Sequence, residues 1–209
     1  MGALGQKLLL PLRGTPLVAH VVEAALASRL SEVVVVVGPE PERLRAALPA
    51  DPRLRVVENP RHAEGRSTSI RAGLAAAEAR ALSAPGVLYL LGDQPLMSVA
   101  LIDAVIAAGE AHDASEAAGG RAAPLVVPTL PGATGSAAKG NPVLFRRSLF
   151  DALRALSGDR GALALIEARW HDAAFVPVDE PSTQIRVETP EDYRRLLERA
   201  ERAASGGGR

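Results

Sequence analysis

The segment from Pro85 to Leu96 is an apolar run that breaks abruptly at Gly92, Asp93, Gln94 and Pro95. A strand ending there delivers a carboxylate to the edge where open α/β sheets gather ligands, and a lone Asp suits a hard cation held against a polyphosphate. The tetrapeptide also fits an Asx-type turn that simply stops the strand. Further segments weigh toward a site. Asn59 and Pro60 close a second apolar run, and Gly65, Arg66, Ser67, Thr68 and Ser69 open a helical one. Three hydroxyls with free amides at a helix start could read a base edge or hold an oxyanion. Ser67 equally fits an ordinary N-cap. Gly73 inside that helix costs about 1 kcal/mol relative to Ala, which implies that something approaches closely.

Lys7 follows a glycine-bearing start and precedes Leu8 to Leu12, so its ammonium could meet a phosphate; a solvated lysine is the local alternative. Lys139, Gly140 and Asn141 precede a short strand, where Asn141 suits a substrate-contacting edge or a plain hairpin turn. Glu188, just ahead of Thr189 and Pro190, could complete a metal site with Asp93 or serve the dipole of the following helix. Gly158 to Gly161 reads as a turn between helices with Asp159 capping the second. The four histidines fall at no metal-ligand spacing, and no Ser/His/Asp arrangement is discernible.

The elements that must position these residues alternate short aliphatic runs with longer Ala/Leu-rich stretches, a βαβ rhythm. Strands are expected at 32–37, 54–57, 87–91, 124–127, 142–145 and 174–178. Their continuous apolarity fits a largely parallel sheet covered on both faces. Helices are expected at 16–28, 41–48, 67–82, 98–111, 148–156, 161–169 and 190–203. Thr15 with Pro16, and Thr189 with Pro190, Glu191 and Asp192, mark two of the starts. The Gly/Ala/Ser/Thr-rich stretches 113–121 and 131–140 read as mobile loops, and 205–209 as a flexible tail after one domain over 1–204.

The chain of 209 residues can bury a substantial core without disulfides. Lys and Arg number 24, as do Asp and Glu, so no net field favours nucleic acid or a membrane surface, and any polyanion must be gripped locally. Cysteine is absent, which excludes a thiolate nucleophile or metal site and fits a reducing cytoplasm. No apolar stretch is long enough to span a membrane, and the first residues do not form a signal peptide.

Taken in order, the motifs resemble the molybdenum cofactor cytidylyltransferases of the MobA-like NTP transferase superfamily. They are Lys7 to Leu12, Asn59-Pro60 with Gly65 to Gly73, Gly92 to Leu96, Gly140 to Phe145, Gly158 to Gly161 and Glu188 to Tyr193. The resemblance covers nearly the whole chain. It implies a Rossmann-like, mostly parallel three-layer α/β/α nucleotidyltransferase domain. The implied reaction is Mg²⁺-dependent transfer of CMP from CTP to a molybdopterin-type cofactor with release of pyrophosphate, and a molybdenum hydroxylase would receive the product. By residue it places Lys7 on the triphosphate, and Asn59, Gly65, Ser67, Thr68, Ser69 and Gly92 around the nucleotide. Asp93 and Glu188 would hold the metal, and Asn141 would face the acceptor. The family's late acidic motif offers Asp positions where this chain has Arg186 and Glu188.

The family also begins with a strand and a glycine-rich phosphate cradle, of which only Met1-Gly2 stands here. The resemblance therefore predicts a native chain extending upstream of Met1, and a sheet that without that strand shows two unpaired ladders around an apolar slot. Two rival readings are another NTP transferase, using GTP or a sugar or polyol phosphate acceptor, and a non-catalytic nucleotide- or cofactor-binding module.

Overall fold

The computed structural model describes residues 6–80, 84–119, 122–132, 134–135 and 139–206. The expected first residues 1–5, and 207–209 of the expected tail, lie outside them. The strands are β1 (Pro11–Leu12), β2 (Thr15–Pro16), β3 (Val33–Val37), β4 (Leu54–Glu58), β5 (Gly86–Tyr89), β6 (Leu125–Thr129), β7 (Val143–Arg146) and β8 (Ala174–Pro177). The helices are α1 (Leu17–Ala27), α2 (Pro41–Ala46), α3 (Arg66–Glu78), α4 (Val99–Ala117), α5 (Phe150–Arg154), α6 (Leu163–Ala168) and α7 (Pro190–Gly206).

Every strand expected from the apolar runs is present. β3 and β4 pair in parallel. The larger sheet has the order β5-β7-β6-β8, with β7 antiparallel to both its neighbours and β6 parallel to β8. β5, β6 and β8 therefore run the same way and β7 alone is reversed within that sheet. Alternation along the strands sorts side chains onto two faces. Leu125, Val127, Val143 and Phe145 join α3, α5 and α6 through Leu74, Leu153 and Ile166. Val126, Val176, Leu88 and Leu144 join Met97, Leu101, Ile102 and Val105 at the start of and along α4 on the other face. This is a three-layer α/β/α arrangement.

The ladder does not continue from β3 to β5. Val35 and Leu90 nevertheless pack into one cluster with Val18 and Val22 of α1. Residues 87–91 stay half-buried, whereas most of β6 is fully buried. The edge of β3 away from β4 and the edge of β5 away from β7 thus have no strand partner among the described residues.

Several expectations are corrected. β1 and β2 form a hairpin that sequence patterning missed, closed by Arg13 and Gly14 at φ 51° and 83°. Both central residues in the left-handed region are what a two-residue hairpin turn requires. Pro16 accordingly lies in β2 and serves as the N-cap, and α1 starts at Leu17 rather than at Pro16. The expected loop at 113–121 is helical through Ala117, because its Ala and acidic residues favour helix until Gly119, at φ 87°, interrupts it. α7 continues to Gly206 through residues expected to belong to the tail. Its start is as expected: Asp192 N donates to Thr189 Oγ1 at 3.1 Å, and Thr189 N donates to the Asp192 carboxylate at 2.8 Å. That reciprocal pair is a capping box.

Candidate functional site

Asp93 stands in the turn that follows β5 and is 6% exposed. Its backbone is fixed by the segment before α7, since Val187 N donates to Asp93 O at 2.9 Å. Its neighbour Gln94 donates from Nε2 to Gln184 O at 3.2 Å. A buried carboxylate needs cationic partners, and Asp93 has two. Lys7 Nζ lies 2.7 Å from Oδ2, Arg186 Nη2 lies 3.0 Å from the same oxygen, and Arg186 Nε donates to Oδ1 at 3.3 Å. Burial on its own would raise the Asp93 carboxyl, but hydrogen bonds from Arg186 and Lys7 outweigh it and hold the group below its ordinary value.

Arg186 is shared. Its Nη2 also lies 2.7 Å from Glu188 Oε1, so one guanidinium bridges the two carboxylates expected to hold a metal. Burial pulls the Arg186 value down, yet the Asp93 hydrogen bond together with the charges of Asp93 and Glu188 outweighs that and raises it. Sequence reading flagged the position only as a departure from an acidic motif, and the partner it finds is visible only in the fold.

Gln184 is the second residue that sequence reading missed. It clasps the expected acceptor loop: Asn141 N donates to Gln184 Oε1 at 2.7 Å, and Gln184 Nε2 donates to Asn141 O at 2.7 Å. The Asn141 side chain accepts from Lys139 Nζ at 3.0 Å. Lys139 is partly buried, and burial followed by repulsion from Arg186 lowers its value. Lys7, Asp93, Arg186 and Glu188 are therefore brought together, with Lys139 and Asn141 beside them, and four of the six (Lys7, Asp93, Asn141 and Glu188) are residues singled out in the sequence. Gly92 sits against Leu8, where an added Cβ would lie 3.5 Å from a leucine methyl.

The other expected residues form a separate group around the start of α3, and no hydrogen bond between described residues joins the two groups. Asn59 is 4% exposed and donates from Nδ2 to Thr68 Oγ1 at 2.8 Å and Ser69 Oγ at 3.0 Å. Thr68 Oγ1 in turn donates toward Gly65 O at 2.8 Å. Gly65, at φ 111°, is the N-cap residue, so Ser67 lies inside the first turn and is not the cap. The Ser67 hydroxyl is buried with no hydrogen-bond partner among the described residues.

The helix-start amides expected to be free are occupied. Arg66 N donates to Asp159 Oδ1 at 3.3 Å, Ser67 N to Gly158 O at 3.2 Å and Thr68 N to Gly65 O at 3.1 Å. Asp159 therefore caps α3 and not the helix that follows it, a contact between residues far apart in sequence. The expected close approach at Gly73 is present: a Cβ there would lie 3.1 Å from Val36 Cγ2.

This geometry puts cations and carboxylates at a strand end, which suits recognition of phosphate groups. The family model described as the MobA-like NTP transferase domain matches residues 1–174. The chain belongs to the MobA-like NTP transferase family. The purine catabolism protein PucB of Bacillus subtilis (strain 168) is 30% identical over 196 residues, covering 90% of this chain and 85% of that protein. The nicotine blue oxidoreductase of Paenarthrobacter nicotinovorans is 29% identical over 195 residues, covering 92% and 88%. Among solved structures, Rv0371C of Mycobacterium tuberculosis H37Rv in complex with manganese matches with a TM-score of 0.72 at 28% identity, covering 92% of each chain.

For a MobA-like NTP transferase the strand-end cluster lies where ligands of open α/β sheets bind. The family and fold are those of nucleotidyltransferases, which act on nucleotides and small-molecule substrates. No helix among the described residues is long and apolar enough to cross a membrane.

Proposed function

We infer that this chain transfers CMP from CTP to the phosphate of a molybdopterin-type cofactor and releases pyrophosphate. The observation that carries the reading is the convergence of Lys7 and Arg186 on Asp93 after β5, beside the Asn141 loop. The nucleotide preference and the acceptor come from the motif resemblance. In the reaction an acceptor phosphate oxygen attacks the α-phosphorus, the bond to the β-phosphate oxygen breaks, and negative charge gathers on the departing pyrophosphate. Lys7 and Arg186 are placed to bind that charge, so no protein nucleophile is needed. Asp93 orients both cations through its two oxygens. Asn59 and Gly65 to Ser69 form the nucleoside end, Gly92 adjoins Asp93 at the phosphate end, and Asn141 with Lys139 forms the acceptor end.

Asp93 and Glu188 flank one cation position, now held by the Arg186 guanidinium, so the donor set fits a divalent ion once that guanidinium is elsewhere. Bound there, Mg²⁺ would neutralise triphosphate charge. The manganese complex of Rv0371C supports a divalent ion at a site of this family. A cytoplasmic setting and a molybdenum hydroxylase as recipient complete the reading.

Thermal unfolding with CTP or GTP, each with and without Mg²⁺, tests it. A ligand at 100 times its dissociation constant adds about 2.7 kcal/mol, a clear upward shift. Stabilisation by CTP with Mg²⁺ that Asp93→Asn removes is the expected result. A shift with GTP alone would assign the other nucleotide, and no shift with either would contradict nucleotide binding.

A further inference from the structure

The Arg186 guanidinium occupies the position that two carboxylates share, and this governs what the site can bind first. Asp93 Oδ2 meets Lys7 Nζ at 2.7 Å and Arg186 Nη2 at 3.0 Å, and the same Nη2 meets Glu188 Oε1 at 2.7 Å. The two carboxylates are balanced by two cations, and Lys139 adds a third close enough to feel Arg186. Among the described residues no third Asp, Glu, His or Cys joins Asp93 and Glu188 to make a metal-binding group. A free divalent cation therefore approaches a cluster of net positive charge whose carboxylates are already engaged, and it must expel a guanidinium to bind.

A polyphosphate meets the opposite situation. The side chains of Lys7 and Arg186 are 31% and 33% exposed, so both can turn toward an arriving anion, while the Asp93 side chain is only 8% exposed and stays in place. Guanidinium pairs with phosphate at least as well as with carboxylate, often through two parallel hydrogen bonds. Once Arg186 turns onto phosphate, Asp93 Oδ1 and Glu188 Oε1 lose their guanidinium partner, and Lys7 alone remains on Asp93 Oδ2. Carboxylate oxygens so released suit a hard cation.

We propose that Arg186 is both a phosphate-binding residue and a latch, so that Asp93 and Glu188 accept a divalent cation only after a polyphosphate has drawn the guanidinium away. The inference rests on reading this cluster as the phosphate end of a nucleotide site.

Mn²⁺ is a direct probe, because free ion is counted by electron paramagnetic resonance without any turnover. The comparison is between the wild-type chain, Arg186→Gln, and Arg186→Gln combined with Asp93→Asn, each checked for an intact circular dichroism spectrum. Without nucleotide, Arg186→Gln should bind Mn²⁺ at least ten-fold more tightly than the wild type, and the added Asp93→Asn change should abolish the gain. With tripolyphosphate in EDTA buffer, Arg186→Gln should bind the anion several-fold more weakly than the wild type. Equal Mn²⁺ affinity in wild type and Arg186→Gln, or a gain that survives loss of Asp93, overturns the latch. The predicted Mn²⁺ and tripolyphosphate pattern without CTP binding would instead overturn the nucleotide assignment and leave the latch standing. Arg186→Ala repeats the comparison if the Gln variant does not fold.

Discussion

Asp93 carries the account at the level of single residues. It is buried, carries no apolar role, and spends both oxygens on Lys7 and Arg186. Its pH behaviour follows from the direction of its shift. An unfolded Asp titrates near ~3.9, and in the folded chain the value lies lower. The group therefore contributes stability that is complete above the ordinary carboxylate range. That contribution declines as pH falls through the range, and it is lost once pH passes below the folded value. Urea unfolding from about pH 6 down to about pH 3 should show the wild type losing more stability than Asp93→Asn. Parallel losses in the two proteins would mean that the ion pairs contribute nothing to folding. Asp93 stood out in the sequence as a carboxylate at the end of an apolar run, but Gly-Asp-Gln-Pro fits a plain turn as well, and only the Gly65 to Gly73 and Lys139 to Phe145 segments weighed toward a site. Arg186 was legible only as a departure from a motif, since its partners lie 93 residues away for Asp93 and are set by packing.

At the level of elements, the start of α3 depends on a turn from a distant part of the chain. Gly65 adopts φ 111°, and a Cβ there would lie 2.8 Å from the Gly158 carbonyl carbon and 2.9 Å from its oxygen. Those neighbours are backbone and cannot swing aside. Gly65→Ala should cost about 2 kcal/mol or more from strain and displacement together, lowering the melting temperature by roughly 4 °C or more. Gly73→Ala is the control: its Cβ would meet a single Val36 methyl at 3.1 Å, and Ala gains helix propensity, so the melting temperature should move far less. Equal effects would remove the special role of Gly65. The strand and helix pattern was readable from apolar periodicity, because each run buries one or both faces of a sheet. The β1–β2 hairpin was not, since two-residue strands carry no alternation. Asp159 was assigned to the wrong helix for a related reason: an N-cap acts on whichever helix start is nearest in space, and local spacing names only the nearest in sequence.

Across the whole molecule, the sheet gathers its chemistry at one end and leaves a division at its middle. β5 brings Asp93, the segment before α7 brings Gln184, Arg186 and Glu188, and the turn before β7 brings Lys139 and Asn141. Two surface hollows have linings that contain neither Asp93 nor Arg186. One runs along Leu48, Pro49, Leu54 and Val56, and the other lies between Leu12, Pro95, Leu96 and Leu196. Both are lined largely by apolar side chains, whereas the charged groups converge on Asp93. Among the described residues no strand pairs with β3 on the side away from β4 or with β5 on the side away from β7, and Val18 of α1 packs with Val35 and Leu90 there. The proposed transfer of CMP frees one pyrophosphate per turnover, which a coupled assay counts. With CTP, Mg²⁺ and a molybdopterin-type acceptor, the chain should release pyrophosphate and form a cytidylylated acceptor seen by mass, only when both substrates are present. Asp93→Asn should lower that rate by orders of magnitude while keeping its fold. Pyrophosphate release that is unchanged in Asp93→Asn, or no release from the wild type with CTP and acceptor at saturating Mg²⁺, would contradict the account.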